Sequence, residues 1–586
     1  MILSAQFLSS LAMTAIQAPQ FILAAASTTA SATASATASA TASASASASA
    51  SASATATPSL PAVVPASPTP TAVPSSTAAT ATAVNFPTIL FSLLIWGAVL
   101  FAVVIVLLPD RTREQRTRIK ALGVAGASAA LFFALWAVET QASNAAIGLG
   151  GRPGGELMEQ RRWLASFPIS ASYHLDADGL ALGLILLTTV VFFCVAIAVW
   201  RNDRHVKLLS IALLTLETAF LGVLCSYDWV LFLIFWSLPI APVYLLIRAF
   251  GGGGERSSRV AMRYAVTALV STGLLAVAAL LIGFEDGTRS FDMGLAPLTL
   301  PATVSHVVFW LCTGAFLIAM AVVPLHIPLL DLEEDSSGAL SAVFAALLPT
   351  LGAYGLLHVS VGFFPAISQS YSLLFAVLAV ISVAWAGIAA VRTDDLRRLV
   401  GHIGTVQMGA VLLAVAGHTT LAITGAIFLL VSRGLTVSVL MLVSSLIQER
   451  TRRVRISQIA GLAWQTPRLA AFWLGAALSA AGTPLLSGFV AYLLLFTGAF
   501  PAHRWFTVLV LVGVLVTPVV LLWAAQRMFL GASRETFSKV RDVGPFELTY
   551  LVVLLAVIVL LGVLPEHFAD LFNNGASSIL FPGTSG

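Results

Sequence analysis

Apolar stretches, each long enough to cross a lipid bilayer as one α-helix, recur along most of this sequence. A membrane-spanning helix needs about 20 mostly apolar residues, and fourteen such stretches follow Phe86. We number them spans 1 to 14; they cover residues 88–108, 119–139, 180–200, 207–224, 228–249, 262–284, 303–330, 337–360, 370–391, 399–416, 420–447, 468–497, 504–526 and 547–565. Because 58% of the residues are hydrophobic and only 10% are charged, a soluble fold is excluded. The predicted fold class is all-α, a polytopic membrane protein of about fourteen transmembrane helices.

Basic residues are concentrated in every second loop. The loops after spans 1, 3, 5, 9, 11 and 13 read "DRTREQRTRIK", "RNDRHVK", "RAFGGGGERSSRVAMR", "RTDDLRR", "ERTRRVR" and "RMFLGASRETFSKVR". Positive loops stay in the cytoplasm, so the net charge of +4 is interpreted as a signal of orientation and not of nucleic-acid binding. Both termini are then predicted to lie outside. The loop after span 7, "DLEEDSS", is acidic, and we interpret it as a solvated helix start and not as a metal loop.

The first 84 residues differ in composition from the rest. Residues 1–25 are apolar and lack the basic n-region of a signal peptide; a signal segment, an extra helix, a wrong start codon and a disordered leader all stay open. Residues 26–84 are almost entirely Ala, Ser, Thr and Pro, so they cannot bury enough apolar surface to offset the entropy of ordering. We predict a disordered tract over 1–84, O-glycosylated if exported, and a membrane domain over 85–586.

Two spans contain helix-breaking residues at related places. Span 7 includes "VVPLHIP" and span 12, five helices later, includes "AAGTPLLSG". Broken helices at matching positions of two halves are typical of inverted-repeat transporters, whose substrate path lies near the breaks. The alternative is that Pro and Gly are simply common in membrane helices.

No residue pattern points to a cofactor on this chain. Cys194, Cys225 and Cys312 lie inside apolar runs without CxxC spacing, so we expect small buried hydrophobes and neither a disulfide nor a metal site. The glycine-rich "FGGGGERS" lacks the Lys-Ser/Thr ending of a phosphate-binding loop. We expect no cofactor, since nothing suggests flavin, quinone-head or iron–sulfur binding.

Six stretches carry a family resemblance. They are "YHLDADGLALGLILLT" in span 3, "SYDWVLFLIFWSLPIAPVYLLI" in span 5, "VVPLHIPLLDLEEDSSGALSAVFAALLPTLGAYGLLH" in spans 7 and 8, "DLRRLVGHIGTVQMGAVL" in span 10, "SRGLTVSVLMLVSSLIQERTRR" in span 11 and "GTPLLSGFVAYLLLF" in span 12. Over roughly residues 160–500 the chain resembles the antiporter-like subunits of respiratory complex I, the proton-pumping NADH–quinone oxidoreductase, and most closely its chain M. The resemblance implies proton translocation coupled to electron transfer, with other membrane subunits as partners. Mrp-type antiporters and membrane hydrogenases share this fold and its motifs.

The chain departs from that family at its charged positions. The family has a coupled glutamate and lysine on spans 5 and 7, a lysine on span 8 and a charged residue on span 12; the matching residues here are Ser237, Ala319, Thr350 and Tyr492. Arg433 on span 11 and Gln407 on span 10 stand where the family has histidines. His326, Asp178 and Asp228 are retained, the two acids at helix mouths, and His358 stands where an arginine is common.

These departures remove the groups that hold a mobile charge. Buried Lys and Glu serve in proton relays because burial and mutual charge move their pKa toward neutrality. Serine, threonine and tyrosine can pass a proton along a water wire but cannot hold one at neutral pH, and arginine does not release its proton. We therefore expect the chain not to use the familiar Glu–Lys relay.

Glu217 on span 4 and His326 are the best remaining candidates for a proton site. An ionisable residue at membrane depth is a functional candidate by default. The structural alternatives are that Glu217 is protonated or hydrogen-bonded to a neighbouring helix, that the Pro-rich turn merely holds His326, and that Arg433 snorkels or pairs with backbone carbonyls. The function predicted is a chain M-like subunit, structural or modified, in which the usual Glu–Lys relay is degenerate. An Mrp-type or hydrogenase subunit and a non-transporting membrane scaffold are the alternatives.

Overall fold

The structure is a computed structural model, and it describes residues 89–146, 158–164, 171–285, 291–293, 300–336, 338–531, 537 and 540–581. The predicted N-terminal tract, residues 1–84, lies outside the described residues. Its composition-based boundary therefore stays a prediction.

Helices account for nearly all of the described chain. Helices α1 to α7 are Leu90–Leu107, Arg113–Ala146, Gly179–Ala198, Val206–Cys225, Trp229–Ser237, Ile240–Phe250 and Gly254–Glu285. Helices α8 to α13 are Ala302–Met320, Ile327–Asp335, Leu340–Gly355, Pro365–Ser370, Ser372–Arg392 and Leu396–Gly417. Helices α14 to α19 are Thr420–Thr451, Pro467–Ala480, Ser487–Val514, Val516–Phe529, Pro545–Val563 and Glu566–Leu580. Short 3₁₀ helices lie at Val199–Arg201, Ile456–Gln458 and Leu462–Trp464, and a π-helix, Leu356–Val361, follows α10.

The predicted fold class is confirmed. In the described part of the chain, 13 helical segments are long and apolar enough to cross a membrane. The difference from fourteen arises at span 12, because α15 has only 14 residues and α16 continues past a kink at His503. Helices α16 and α17 form one long segment, Ser487–Phe529, which contains the second half of span 12 and all of span 13.

Spans 7 and 12 are broken where their Pro and Gly residues predict. Helix α8 ends at a left-handed residue, Ala321, with a φ of 55°, and the Pro-rich turn leads into α9. Between α15 and α16, Gly482 and Leu485 have φ values of 76° and 72°. Positive φ interrupts a right-handed helix, so each span consists of two helices joined by a non-helical turn, and in span 7 the turn residues Ala321 and Val322 are buried.

Span 5 is also broken, which the sequence analysis did not predict. Helix α5 ends at Ser237 and α6 begins at Ile240, with Pro239 between them. Proline has no backbone N–H, and its ring clashes with the preceding turn. The substituted residue Ser237 therefore lies where the two helices meet, inside the membrane-crossing segment Trp229–Phe250.

A β-hairpin between α2 and α3 was likewise not predicted. Strand β1 (Glu159–Leu164) pairs antiparallel with β2 (Ala171–Leu175), with Glu159 opposite Leu175. The backbone N–H and the hydroxyl of Ser92 on α1 both donate to the Glu159 carboxylate. These bonds fix the hairpin to one end of span 1.

The centre of the fold consists of α10, α13 and α14. Their membrane-crossing segments are entirely buried, and α14 packs against α10, α13 and α16. Large apolar side chains such as Leu100, Leu269 and Trp385 are exposed on the outer helices α1, α7 and α12. Exposed apolar surface of this extent is typical of a lipid-facing perimeter, so polar groups on the central helices are shielded from both lipid and bulk water.

Candidate functional site

Arg433 on α14 holds a charge at the centre of the fold, where only 2% of its surface is exposed. Its Nε donates to the carbonyl oxygen of Gly404 at 3.2 Å, Nη1 to that of Ala346 at 3.1 Å and Nη2 to that of Ala345 at 3.0 Å. The guanidinium thus bonds to backbone carbonyls of α13 and α10 and does not snorkel to a helix end. Because arginine stays protonated, these contacts hold a permanent positive charge.

Three of the substituted residues lie beside this charge. The Thr350 hydroxyl donates to the Ala346 carbonyl oxygen at 2.6 Å, the same acceptor that Arg433 uses. Gln407 Nε2 donates to the Tyr492 hydroxyl at 3.3 Å, and the Tyr492 hydroxyl interacts electrostatically with the guanidinium. Thr350 and Arg433 share an acceptor and Gln407 bonds to Tyr492, and we call these four buried residues on α10, α14, α13 and α16 the polar line.

Ser237 and Ala319, at the positions of the family's Glu–Lys pair, are not part of the polar line. The partly exposed Ser237 donates its hydroxyl to the carbonyl oxygen of Ile234 in its own helix, at 2.9 Å. Ala319 lines a mostly apolar cavity of about 70 Å³ together with Trp236, whose Nε1 donates to the Ser271 hydroxyl at 3.3 Å. Apolar walls disfavour ordered water, and in the described part of the chain only a few polar groups, among them Ser271, line this cavity.

Glu217 on α4 is buried, and neither of its carboxylate oxygens has a hydrogen-bond partner among the described residues. It lines a narrow crevice of about 20 Å³ that also contains Ser210 and Lys120. The Lys120 ammonium pairs with the exposed Asp203 carboxylate at 2.5 Å. The crevice therefore connects the buried carboxyl with the basic loops that follow spans 1 and 3.

His326 lines a third cavity together with an acid that the sequence analysis missed, Glu333 on α9. Both side chains are buried, and the cavity, about 10 Å³ in volume, is also lined by Thr405 and Arg433. Glu333 Oε2 and His326 Nδ1 have no hydrogen-bond partner in the described part of the chain. A volume on the order of 10–15 Å³ is what one water molecule needs.

The prediction that "DLEEDSS" is a solvated helix start is wrong, because the run lies at the end of α9 and its Asp335 is only 6% exposed. Glu333 is more buried still, at 3% exposed. Its neighbours behave differently, because Asp331 pairs with Arg263 at 2.9 Å and Glu334 pairs with Arg398 at 2.8 Å. These ion pairs explain why this loop is acidic although the neighbouring loops are basic. The carboxylates of Asp331 and Glu334 neutralise arginines of the neighbouring helices.

Helical spacing was the signal that could have found Glu333. It follows Leu329 by four residues and Leu330 by three, and both leucines are buried. Residues three and four apart share one helix face. A helix starting at the proline turn would therefore have placed this one acid on the apolar face.

The two acids at helix mouths act as N-terminal caps. Asp178 Oδ1 accepts from the Ala181 N–H at 2.7 Å, and its Oδ2 lies 3.5 Å from Nδ1 of His358. Asp228 accepts from the N–H groups of Val230 and Leu231 on α5. A carboxylate in this position satisfies free N–H groups and the positive end of the helix dipole. Asp178 therefore caps α3 and Asp228 caps α5.

The described residues include no group of three or more His, Cys, Asp and Glu side chains that could hold a metal ion. Cys194, Cys225 and Cys312 are buried free thiols.

Comparisons with known proteins identify the fold and the family. Residues 226–517 match the family described as NADH:quinone oxidoreductase/Mrp antiporter, TM. The chain is 30% identical over 483 residues to NAD(P)H-quinone oxidoreductase chain 4 1 of Picosynechococcus sp., which covers 80% of this chain and 87% of the relative.

Two solved structures share the architecture. A chain of respiratory complex I from Thermus thermophilus is 25% identical, with a TM-score of 0.74 over 84% of this chain and 99% of that chain. A chain of the Mrp complex from Dietzia sp. has the same TM-score of 0.74 at 19% identity, over 85% of this chain and 98% of that chain, and shows the fold alone. Together with the broken helices and the buried polar line, these similarities show that the chain is a multi-pass membrane protein that belongs to the NADH:quinone oxidoreductase/Mrp antiporter family.

Proposed function

We propose that this chain is the chain M-like membrane subunit of a complex I-type NADH–quinone oxidoreductase. It carries protons across the membrane while partner subunits transfer electrons. The proposal is supported by the relative named NAD(P)H-quinone oxidoreductase chain 4 and by the fold match to a respiratory complex I chain. This chain holds no cofactor in the proposal, so the electrons move through other subunits.

The observation that carries the proposal is the polar line through Arg433 and Tyr492. It lies on the central helices, next to the breaks in spans 7 and 12, and no part of it faces lipid. Polar groups inside a membrane are rare because each unsatisfied group costs several kcal/mol, roughly 2–7. A line of four such residues at the position of the family's proton path supports a route for protons.

The route differs from a Glu–Lys relay. The side chains of the polar line can form hydrogen bonds with one another and with water. Thr350, Tyr492 and Gln407 do not hold an extra proton at neutral pH, however, and Arg433 does not release one. Charge must therefore be held by a carboxyl or an imidazole beside the line. Glu217 and His326 are the candidates that the sequence itself suggests.

In the proposed orientation, both termini lie outside and the basic loops lie in the cytoplasm. The ion pairs of Asp331 with Arg263 and of Glu334 with Arg398 support this arrangement. Both pairs join acids of the "DLEEDSS" loop to arginines of basic loops, which agrees with a cytoplasmic location for all of these loops.

Co-purification from native membranes tests the assembly. An affinity tag on this chain, with mild detergent and mass spectrometry of the purified complex, should recover hydrophilic redox subunits. Recovery of small antiporter subunits without redox subunits would instead assign an Mrp-type function. A stable single species would support a non-transporting scaffold.

Proton transport is tested on the purified complex in sealed lipid vesicles. Addition of NADH and a quinone should drive vesicle acidification, followed with a pH-sensitive dye. A complex that oxidises NADH without moving protons, although its vesicles hold an imposed pH gradient, would contradict the proposed function.

A further inference from the structure

Two glycines on α13 make room for two opposite charges. A Cβ atom added at Gly401 would lie 2.3 Å from Glu333 Oε2, and one added at Gly404 would lie 2.9 Å from Arg433 Nη2. Residues three apart lie on the same face of a helix. One face of α13 is therefore free of side chains where the carboxyl of α9 and the guanidinium of α14 approach it.

The two charges are buried together. Glu333 is 3% exposed and Arg433 is 2% exposed, and the two groups interact electrostatically. All three hydrogen bonds of Arg433 end on neutral carbonyl oxygens, so these partners do not neutralise its charge. A buried charge without a counter-charge is strongly unfavourable, and the Glu333 carboxylate is the acid in position to supply one.

The Glu333 carboxyl also has space in which to exchange a proton. Its Oε2 accepts no hydrogen bond from the described residues, although it lines the cavity of about 10 Å³ that His326 and Thr405 share. A carboxylate placed only for structure would be expected to use its lone pairs in hydrogen bonds. This one is open toward a space that fits a water molecule.

From this arrangement we propose that Glu333 takes up and releases the proton that this chain moves, with Arg433 as its fixed counter-charge. The inference rests on the proposed function and names the acid that serves it. Glu333 and Arg433 would take over the role of the missing Glu–Lys pair, with Glu333 about two turns beyond the broken part of span 7.

The chemistry needs only water and a proton. When a hydronium ion in the cavity protonates the carboxylate, one of its O–H bonds breaks, an O–H bond forms at Glu333 and neutral water remains. Release is the reverse, with water as the acceptor. With Glu333 ionised, the pair is neutral; with Glu333 protonated, the positive charge of Arg433 is uncompensated. That charge lies beside Thr350 and Tyr492 and repels a second proton, so the site holds one proton at a time.

A static ion pair is the competing explanation, since buried pairs also occur without transport. It predicts that Glu333 stays ionised at all accessible pH values. Infrared difference spectra of the purified complex between acidic and alkaline buffer separate the two explanations. A protonated carboxyl has its own C=O stretching band, and we expect such a band in the wild-type complex and its loss in Glu333→Gln.

Asp331→Asn is the matched control, because Asp331 is on the same helix but pairs with Arg263 at the surface. Proton-transfer groups typically contribute about 100-fold or more to the step they serve. The uptake that runs through this chain should therefore vanish in Glu333→Gln complexes in vesicles, leaving only protons moved by partner subunits. Asp331→Asn should keep the wild-type ratio of protons to electrons.

Gly401→Ala provides a second variant that keeps every ionisable group. The added methyl group displaces the Glu333 carboxyl from α13, so proton uptake should fall as it does in Glu333→Gln. Wild-type uptake in both variants, or an infrared band that survives Glu333→Gln, would overturn the inference while the proposed function stands. If wild-type complexes move no protons, the proposed function fails, and the infrared band still decides whether Glu333 exchanges a proton.

Discussion

Thr350 and Arg433 share one hydrogen-bond acceptor, the carbonyl oxygen of Ala346, at 2.6 Å and 3.1 Å. A lysine in place of Thr350, as in the family, would add a second positive charge to a buried position. We expect Thr350→Lys to prevent stable assembly, whereas Thr350→Val loses one hydrogen bond, worth about 1 kcal/mol. Thermal unfolding of the detergent-solubilised complex, followed by tryptophan fluorescence, measures both. Equal stability of the two variants would show that the site tolerates two cations.

Ser237 is predicted to be dispensable for proton transport. Its hydroxyl bonds within its own helix, and the neighbouring cavity is mostly apolar. Ser237→Ala should therefore keep the wild-type ratio of protons to electrons in vesicles. Collapse of vesicle acidification in this variant would mean that spans 5 and 7 still form the path.

Glu217→Gln tests the second buried acid. Its carboxyl has no hydrogen-bond partner among the described residues and lines the crevice that contains Lys120. If protons use this crevice, the amide should lower proton uptake per electron without slowing electron transfer. The matched control is Glu114→Gln, which neutralises an exposed acid on α2. An unchanged ratio in Glu217→Gln would assign this residue a structural role.

The close contact between α14 and α16 depends on two glycines. A Cβ atom at Gly498 would lie 2.2 Å from the backbone nitrogen of Ala422, and one at Gly425 would lie 2.3 Å from that of Leu495. Gly498→Ala must separate the helices, which we expect to lower the free energy of unfolding by about 1–3 kcal/mol, as overpacking does. Gly273→Ala is the control, because its Cβ would meet no atom within 4 Å. Similar unfolding temperatures for the two variants would contradict this prediction.

Glu159 at the hairpin should make stability depend on pH. Burial raises the pKa of Glu159, although hydrogen bonds from Ser92 oppose the shift. Because the folded state then binds the proton more tightly than the unfolded chain does, the stabilisation is present at low pH and is lost as pH rises through the folded pKa. Glu159→Gln should unfold at a higher temperature than the wild type at about pH 8 and show a weaker pH dependence. The prediction is contradicted if the unfolding temperature of the wild type, relative to that of Glu159→Gln, rises between about pH 5 and pH 8.

The spans could be predicted from the sequence because a membrane helix satisfies its backbone hydrogen bonds internally. Local composition is then sufficient to locate each span. The breaks next to Pro324 and Gly482 could also be predicted, because proline and glycine disfavour a helix locally. The break at Pro239 was missed because proline in a membrane helix does not always end it.

The candidate site was less predictable, because it depends on contacts between distant parts of the chain. Glu333 lies in an acidic run that is solvated in most proteins. Its burial depends on Gly401 of α13, which leaves room for the carboxyl and comes far later in the sequence. The substitutions at Thr350 and Tyr492 were visible from the family resemblance, but their connection through Arg433 needed the packed structure.

The carbonyl bonds of Arg433 also have a consequence for how the protein is made. An arginine at the centre of a helix opposes insertion into the bilayer by about 2.5–3.5 kcal/mol. Its three acceptors, on Ala345, Ala346 and Gly404, all precede it in the chain. A ribosome therefore delivers the acceptors before the arginine, and α14 can enter the membrane against partners that are already in place.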